Sequence, residues 1–334
     1  MRRRLASTLS VSVVMVVRDG AEHLPRAIES LRSQTLRGFE LIIVDDGSEG
    51  TAWDYLAQLC LPRLRVHRNL TARGWPVALN QALAMAHGRY VAFHDADGVS
   101  LPERLEKQAA YLSTHSRAAL IGGQVEWLDR QGQVVRRMEY PSRHADLAAS
   151  LRQGLDLELG VVMLRRSILD KVGPFREPFA LAYDVDLFLR VAGQRSLAVV
   201  PELLYQRQFD PRSERVARLG EWESYAALAC QLDTERDSLG GEQADCAVRA
   251  SSIRERCRQS YPLARQAERA ANYVHWAERL LSWGGPSARY AWPMWQYALA
   301  AFPFHPAVWK FAARHLLDRS AGRRTDPAGP HRTE

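Results

Sequence analysis

Two aspartates one residue apart, Asp95 and Asp97, follow an apolar run and precede a glycine. Carboxylates at this spacing on a tight loop can hold a hard divalent cation between their own oxygens and those of a phosphate. A cation there would offset the negative charge of a leaving diphosphate. Because Asp-x-Asp is also common in solvated turns, the pair alone leaves a metal site and a plain surface loop as competing interpretations.

A second acidic pair, Asp45 and Asp46, comes earlier in the chain and is followed by Gly47 and Ser48. Carboxylates accept hydrogen bonds from the N–H of a nucleotide base and from ribose hydroxyls. The alternative is structural, because an aspartate ahead of a serine can form a turn that caps the helix after it. The pair is therefore a candidate nucleotide contact and equally a candidate turn.

A third acidic segment contains Asp184 and Asp186, directly ahead of an apolar pattern with helical spacing. A carboxylate near an acceptor hydroxyl can take its proton as a general base, and Asp184 is the candidate for that role. The alternative is that either aspartate accepts hydrogen bonds from amides in the first turn of the helix. Spacing alone favours the capping interpretation.

The segments around these aspartates alternate between strand and helix patterns. Strands are predicted at residues 11–17, 41–44, 64–67 and 89–93, and helices at 22–34, 54–59, 76–86 and 102–112. This alternation predicts an α/β fold with a doubly wound, mostly parallel sheet. Ligands of such sheets bind beyond the carboxyl ends of the strands, where both Asp45 and Asp95 fall. The first two acidic pairs are therefore expected to share one pocket.

The second half of the chain is less regular. A hairpin is predicted over 119–128 and 134–138, further strands at 161–165, 197–200 and 203–209, and short helices at 167–172 and 184–191. Strand patterns end near residue 215, which predicts an α/β domain over 1–214 and a helical C-terminal region of four or five helices over 215–318. The polar residues 319–334 are predicted to form a disordered tail.

Composition narrows the class of partner and the compartment. The formal net charge of +7 suits a phosphate-bearing substrate or an anionic membrane surface. Basic residues are not interleaved with aromatics in any run, which argues against nucleic acid. The four cysteines form no Cys-x-x-Cys pair and are expected to be free thiols in a reducing compartment. We expect a cytoplasmic protein with peripheral contact to the inner face of a membrane and no membrane-spanning helix.

Ordered motifs run through roughly residues 10–213. They are Ser30-Leu31-Arg32-Ser33-Gln34-Thr35, Val44-Asp45-Asp46-Gly47-Ser48, Phe93-His94-Asp95-Ala96-Asp97, Leu101-Pro102-Glu103-Arg104-Leu105, Val172-Gly173-Pro174-Phe175 and Tyr183-Asp184-Val185-Asp186-Leu187. In this order they resemble family 2 of the inverting glycosyltransferases. The resemblance implies the GT-A fold, a Rossmann-like doubly wound sheet, and the use of a nucleotide sugar.

The resemblance assigns donor-binding roles to residues at the strand ends. Asp46 and Asp45 would contact the base and ribose of the nucleotide. Val17 and Arg18, at the end of the first strand, would line the same nucleotide site, where the family often has Tyr-Asn in place of Arg18-Asp19. Asp95 would lie near the ribose or the metal.

The resemblance also assigns the metal and the base. Asp97, with Asp95, would ligate Mn²⁺ or Mg²⁺, and Asp184 would be the catalytic base. Two positions depart from the family pattern: Tyr183 stands where the family has a glutamate, and Asp210 stands where many relatives have a histidine. A carboxylate can ligate a metal, so Asp210 is a candidate third ligand.

The expected activity is inverting transfer of a sugar from a nucleoside-diphosphate sugar to a hydroxyl group. A UDP-sugar is the first expectation for the donor, with GDP- and dTDP-sugars as alternatives. The acceptor is expected to be a saccharide or a lipid-linked molecule in surface polysaccharide or glycolipid assembly.

Two other functions stay open at this point. One is transfer to a polyprenyl phosphate, for which Arg165 and Arg166 would supply basic groups. The aromatic stretch from Trp292 to Trp309 would then lie at a membrane interface, unless it forms a packed helical core. The other is a non-catalytic GT-A scaffold whose helical region binds partners.

Overall fold

The computed structural model describes residues 10–210, 214–239, 246–259 and 262–322. The strands of its sheet are β1 (Val11–Val17), β2 (Phe39–Asp46), β3 (Leu64–Asn69), β4 (Tyr90–Asp95), β5 (Gly98–Ser100), β6 (Ala118–Leu128), β7 (Val134–Met138), β8 (Met163–Arg165) and β9 (Ser196–Gln208). The helices among them are α1 (Leu24–Arg32), α2 (Thr51–Gln58), α3 (Trp75–Met85), α4 (Arg104–Thr114), α5 (His144–Arg152), α6 (Arg166–Val172) and α7 (Tyr183–Ala192).

The sheet follows the order β3-β2-β1-β4-β8-β6-β9-β5, with β7 paired to β6. β1 pairs in parallel with both β2 and β4, and every residue of β1 is buried, as its β-branched sequence predicts. Val17 lies opposite Asp45, and Val16 lies opposite Asp95. The two acidic pairs therefore end β2 and β4, the parallel strands on either side of β1, roughly 10 Å apart across the sheet.

The sheet is mixed rather than mostly parallel. β8 runs antiparallel to both β4 and β6, and β5 runs antiparallel to β9. The two short strands predicted at 197–200 and 203–209 form the single strand β9, because its pairing with β6 continues through register shifts. A short helix, α5, occupies 144–152, where no element was predicted.

The described residues divide into two compact units. The first comprises the chain up to Asp210 together with Glu221–Cys257, and so takes in most of α9 (Leu219–Leu239) and α10 (Cys246–Gln259). Buried Asp233 of α9 accepts from Arg152 of α5 over 2.8 Å, which ties α9 into this unit. The predicted domain boundary at residue 214 stays a prediction.

The second unit comprises 211–220 and the chain from Arg258 onward. It contains α8 (Glu214–Ala217), α11 (Pro262–Trp283), α12 (Ala291–Ala301) and α13 (Pro306–Gly322). With α9 and α10, the described part of the chain after 213 has six α-helices, so the prediction of four or five was too low. The disordered tail predicted from 319 was placed too early, because α13 continues to Gly322, and residues 323–334 lie outside the described ranges.

Aromatic side chains form much of the contact between α12 and α13. The indole N–H of Trp295 donates to the Val308 carbonyl over 2.7 Å, and the Trp292 and Phe311 rings lie 5.8 Å apart. Phe304 and Trp309 stay exposed. Part of the predicted interfacial stretch therefore packs between α12 and α13. Among the described residues no helix is long and apolar enough to cross a bilayer.

Candidate active site

The loops that follow β1, β2 and β3 are tied together at the carboxyl edge of the sheet. Asp19 Oδ1 accepts from the Glu49 amide, and the Asp19 amide donates to Ser48 Oγ, both over 2.9 Å. Gly47 has a positive φ of 75°, and a Cβ there would lie 2.5 Å from the Ala72 nitrogen. The turn after β2 therefore requires glycine, because any side chain would displace the loop after β3.

Asp45 is fully buried at the end of β2 and holds the turn that follows. Its Oδ1 accepts from both the amide and the hydroxyl of Ser48. Its Oδ2 lies 3.3 Å from Arg68 Nε, and the Arg68 guanidinium stands 4.6 Å from the centre of the Trp53 ring. These are the contacts of the turn that the sequence offered as an alternative, and the predicted nucleotide role of Asp45 stays a prediction.

Asp46 holds the loop between β3 and α3. Its Oδ1 accepts from Asn69 Nδ2 over 2.9 Å and from the Arg73 amide over 2.8 Å, and its Oδ2 accepts from the Gly74 amide over 2.9 Å. A carboxylate offers about four acceptor positions, so these three bonds leave room for one further donor, such as a base N–H. Its predicted contact with the base stays a prediction.

Val17 and Arg18 end β1 beside these loops. The Val17 side chain is fully buried in the core, so only its backbone could meet a nucleotide. Arg18 is exposed at the start of the loop that Asp19 ties to the turn after β2. Of these two predicted donor contacts, Arg18 alone presents a side chain to solvent.

Asp95 ends β4 and is tied to β9 through Tyr205. The Asp95 amide donates to Tyr205 Oη over 3.0 Å, and that hydroxyl donates back to Asp95 Oδ2 over 3.3 Å. Burial, together with the charge of Asp95, raises the pKa of Tyr205 well above its ordinary value, so the hydroxyl stays a donor. Tyr205, which is 110 positions away in the sequence, thus fixes Asp95, the first aspartate of the pair.

Asp97 lies two residues further on and faces an arginine of β9. Arg207 Nε stands 3.4 Å from Asp97 Oδ2, while Arg207 Nη1 donates to Glu158 Oε2 over 2.6 Å. Glu158 is buried, and its other oxygen accepts from the Trp127 indole N–H over 3.1 Å. Although burial acts against the charge, these carboxylates hold the pKa of Arg207 well above its ordinary range. Arg207 is therefore a fixed cation among the acidic groups of the site.

Two buried basic side chains, Arg104 and His94, form hydrogen bonds at the carboxyl end of β4. Arg104 donates to the Phe93 carbonyl over 2.7 Å and lies 5.1 Å from the centre of the Tyr205 ring. The His94 ring contacts Ser30 Oγ at 3.3 Å and the Asp95 carbonyl at 2.8 Å. Burial, assisted by the charge of Arg104, lowers the pKa of His94 to about 3, so His94 is neutral. His94 is thus a buried strand-end residue.

Asp184 lies in the first turn of α7 and is almost completely buried. Its Oδ1 accepts from the Val185 amide over 2.9 Å. Burial, together with the negative charges of Glu158 and Asp95, raises the pKa of Asp184 to about 7. A carboxyl group with this pKa can accept a proton near neutrality, as a general base must.

Asp186 has a structural role instead. Its carboxylate bonds to Arg190 over 2.8 Å and to Arg176 over 3.0 Å, and all three side chains are largely buried. Arg190 also donates to the carbonyls of Gly173 and Pro174. This network attaches α7 to the segment after α6 and so orients the first turn, which carries Asp184.

The predicted third metal ligand, Asp210, lies just beyond β9 and is paired with Arg130 at 3.6 Å. No group of three or more His, Cys, Asp or Glu side chains is arranged to hold a metal ion within the described ranges. Asp95 and Asp97 still fit Mg²⁺ or Mn²⁺, because Mg²⁺ commonly takes one or two carboxylates and completes its shell with substrate phosphates and water. Asp210 as a ligand stays a prediction.

The structure corrects one prediction about an acceptor phosphate. Arg165 lies opposite Tyr90, at the amino end of β4, because β8 runs antiparallel to it. Its guanidinium donates to the backbone carbonyls of Leu112, His115 and Ala118, and that of Arg166 donates to the Gly88 carbonyl. Arg165 thus lies roughly 17 Å along β4 from Asp95 and is not beside the acidic site.

Three residues of the site were not singled out from the sequence: Glu158, Tyr205 and Arg207. Tyr205 and Arg207 fall in a segment whose sequence predicts only a strand. Glu158 lies in a loop whose sequence predicts neither a helix nor a strand. One local signal was available for two of them, because alternate residues of a strand face the same side. Tyr205 and Arg207 are such a pair.

A substitution at Gly160 tests how closely this site is packed. Gly160 lies in a short 3-10 turn (Leu159–Val161), and a Cβ there would collide with Asp95 Oδ2 and Tyr205 Oη. We expect Gly160→Ala to destabilise the protein by about 1–3 kcal/mol and to weaken substrate binding by displacing Asp95. Thermal unfolding and substrate KM measure the two effects. Gly38→Ala is the matched control, because its Cβ would meet nothing within 4 Å; equal behaviour of the two variants would contradict the packing described.

Comparisons with known proteins identify the family and the fold. Residues 12–173 match the model of "Glycosyl transferase family 2". EpsE of Bacillus subtilis (strain 168), named as a glycosyltransferase, is 32% identical over 54% of this chain and 66% of its own length. WfaP of Escherichia coli, a UDP-Glc:alpha-D-GlcNAc-diphosphoundecaprenol beta-1,3-glucosyltransferase, is 31% identical over 31% of this chain and 41% of its own. The chain thus spans about two thirds of EpsE and two fifths of WfaP.

Among solved structures, residues 1–349 of S. aureus TarS in complex with UDP superpose with a TM-score of 0.52 at 15% identity, covering 93% of this chain and 92% of that one. At this identity the likeness concerns the fold, and it confirms the predicted α/β, GT-A-like architecture with a helical C-terminal region. The matched family model and the likeness to EpsE show that the chain belongs to glycosyl transferase family 2 and is a glycosyltransferase.

Proposed function

We propose that the protein transfers a sugar from a nucleoside-diphosphate sugar, a UDP-sugar in the first instance, to a hydroxyl group with inversion at the anomeric carbon. The observation that carries the proposal is the buried Asp184 carboxyl, whose pKa is raised to about 7 by burial and by neighbouring carboxylates. A purely structural aspartate is normally paired with basic side chains, as Asp186 is with Arg176 and Arg190.

The reaction follows from the chemistry of these groups. The acceptor oxygen forms a bond to the anomeric carbon while the bond from that carbon to the diphosphate oxygen breaks. Asp184 takes the proton of the acceptor hydroxyl, and the nucleoside diphosphate leaves. Because this is one displacement from the face opposite the leaving group, the configuration at the anomeric carbon inverts.

Two kinds of positive charge would face the leaving diphosphate. Asp95 and Asp97 would hold Mn²⁺ or Mg²⁺, and the bound cation would offset the charge that develops as the sugar bond breaks. Arg207 already stands at 3.4 Å from Asp97, and its fork of donors suits phosphate oxygens. Arg207 would thus assist in holding the diphosphate beside the carboxylates.

A lipid-linked or surface-polysaccharide acceptor is the proposal for the second substrate. The name of WfaP specifies a diphosphoundecaprenol-linked acceptor, and that of the TarS complex specifies UDP. Transfer to a bare polyprenyl phosphate is less well supported, because the two arginines considered for it lie at the other edge of the sheet. A non-catalytic scaffold is disfavoured by the raised pKa of Asp184.

A donor screen tests the proposal. UDP-, GDP- and dTDP-sugars are incubated with the protein and Mn²⁺, and released nucleoside diphosphate is measured with and without saccharide and lipid-diphosphate acceptors. We expect release from one UDP-sugar that increases when the correct acceptor is added. Absence of UDP binding by calorimetry, together with no release from any donor, would contradict the proposal and favour the scaffold.

A further inference from the structure

A polar cavity lies at the amino end of β4, on the edge of the sheet opposite the acidic site. Its volume is about 240 Å³. It is lined by Arg89, Ser113, Ser116, Ala119, Arg165, Ser167, Ile168, Lys171 and Arg195. We refer to these nine residues as the basic cavity. Four of them are cationic, three carry hydroxyl groups and none is acidic.

The cations of the basic cavity are not neutralised by the protein. In the part of the chain that the structure describes, Arg89, Lys171 and Arg195 make no ion pair with a carboxylate. Arg165 donates its hydrogen bonds to backbone carbonyls, including a 2.7 Å bond from Nε to the Ala118 carbonyl. Because these acceptors are neutral, they do not offset the charge of Arg165. Four like charges around one small space repel one another, and a bound anion would relieve that repulsion.

Two of the cations are held in place before any ligand arrives. The guanidinium groups of Arg89 and Arg165 lie 5.4 and 5.7 Å from the centre of the same Tyr90 ring. Tyr90 itself is buried as the first residue of β4. Stacking and backbone bonds reduce the side-chain entropy that ordering these arginines on a ligand would otherwise cost.

The chemistry and size of the basic cavity point to phosphate. Arginine forks match phosphate oxygens in pairs, and serine hydroxyls donate to the same oxygens. A volume of about 240 Å³ is below the roughly 300–1,000 Å³ of pockets for drug-sized molecules, which favours a phosphate or diphosphate group over a whole nucleotide. We propose that the basic cavity is an anion-binding site for a phosphate-bearing group, either free in solution or on a lipid headgroup.

The test uses Lys171→Gln combined with Arg195→Gln, two exposed side chains whose loss should not disturb folding. Arg26→Gln combined with Lys310→Gln is the matched control, because it removes the same charges from exposed positions elsewhere. Calorimetry with inorganic pyrophosphate should show binding to the native protein and to the control, weakened by roughly tenfold or more in the cavity variant.

Two further arms separate the sites and the sources of phosphate. Asp95→Asn combined with Asp97→Asn removes the proposed diphosphate site, and cavity binding should survive it whether or not the proposed transferase activity is correct. Sedimentation with phosphatidylcholine vesicles, with and without phosphatidylglycerol, identifies a lipid source if only the anionic vesicles bind and the cavity variant does not. Binding of pyrophosphate alone identifies a soluble anion. Equal binding by native protein and cavity variant in both assays, or no binding in either, would overturn the proposal.

Discussion

Replacing Asp184 by asparagine is expected to reduce kcat/KM for sugar transfer by roughly 10²–10⁴-fold, the usual contribution of a general base. Asparagine keeps the size of the side chain and can still accept from the Val185 amide, whose bond to Asp184 spans 2.9 Å. It cannot take a proton from the acceptor hydroxyl. The loss should therefore fall on the chemical step, with nucleotide binding by calorimetry little changed.

The pH profile gives an independent measure of the same role. Because the pKa of Asp184 is raised to about 7, the carboxylate form is lost as the pH falls below that value. We expect kcat/KM of the native enzyme to fall by roughly tenfold for each pH unit below about 7 and to level off above it. The residual activity of Asp184→Asn should not show this fall of kcat/KM at low pH.

The raised pKa of Asp184 predicts that stability changes with pH in the opposite direction to activity. The folded state binds the Asp184 proton more tightly than the unfolded chain, because burial raises the pKa from 3.8 to about 7. Stability from this group is present below pH 3.8 and is lost as the pH rises towards 7. Asp184→Asn should therefore melt at a higher temperature than the native protein near pH ~8, with the gain disappearing near pH ~4.

Asp170→Asn is the control for these measurements, because Asp170 is an exposed aspartate of α6. It should leave activity, pH profile and melting temperature unchanged. An Asp184→Asn enzyme that kept more than about a tenth of native activity would rule out Asp184 as the base. In that case the buried Glu158, which also has a raised pKa through burial and neighbouring charge, becomes the next candidate.

The second large effect is expected at Asp97. Asp97→Asn removes a carboxylate from the proposed metal and diphosphate site, and we expect transfer to fall by roughly 10²-fold or more. The variant should also need more Mn²⁺ to reach half of its maximal rate. Titrations of rate against Mn²⁺ and Mg²⁺ separate this loss of affinity from the loss of proton transfer expected at Asp184.

Parallel variants locate the metal more finely. Asp95→Asn should have a smaller effect on Mn²⁺ dependence if Asp95 serves the ribose, and a similar one if both carboxylates bind the cation. Asp210→Asn should raise the required Mn²⁺ concentration if Asp210 is the third ligand, despite its 3.6 Å pairing with Arg130. Unchanged Mn²⁺ dependence in Asp97→Asn would contradict the assignment of the metal to this loop.

Much of the fold could be predicted because its signals are local. The β-branched run of β1, the helical spacing of α1 and the glycine turn after β2 each depend on neighbours a few residues away. The family motifs then identified the class of enzyme. The mixed character of the sheet could not be predicted, since the direction in which β8 pairs with β4 depends on contacts between distant segments.

The acidic site also has features that the sequence predicts and features that depend on the tertiary structure. Its aspartates could be named from the sequence, because Asp45, Asp95 and Asp184 each end or begin a recognisable element. Their surroundings could not, because Tyr205 and Arg207 reach Asp95 and Asp97 across 110 residues, and Arg207 reaches Glu158 across 49. The sequence alone determined which side chains can do chemistry, while tertiary packing decided their charge states. The pKa of Asp184 shows the reason, since burial and nearby carboxylates exist only once the strands have paired.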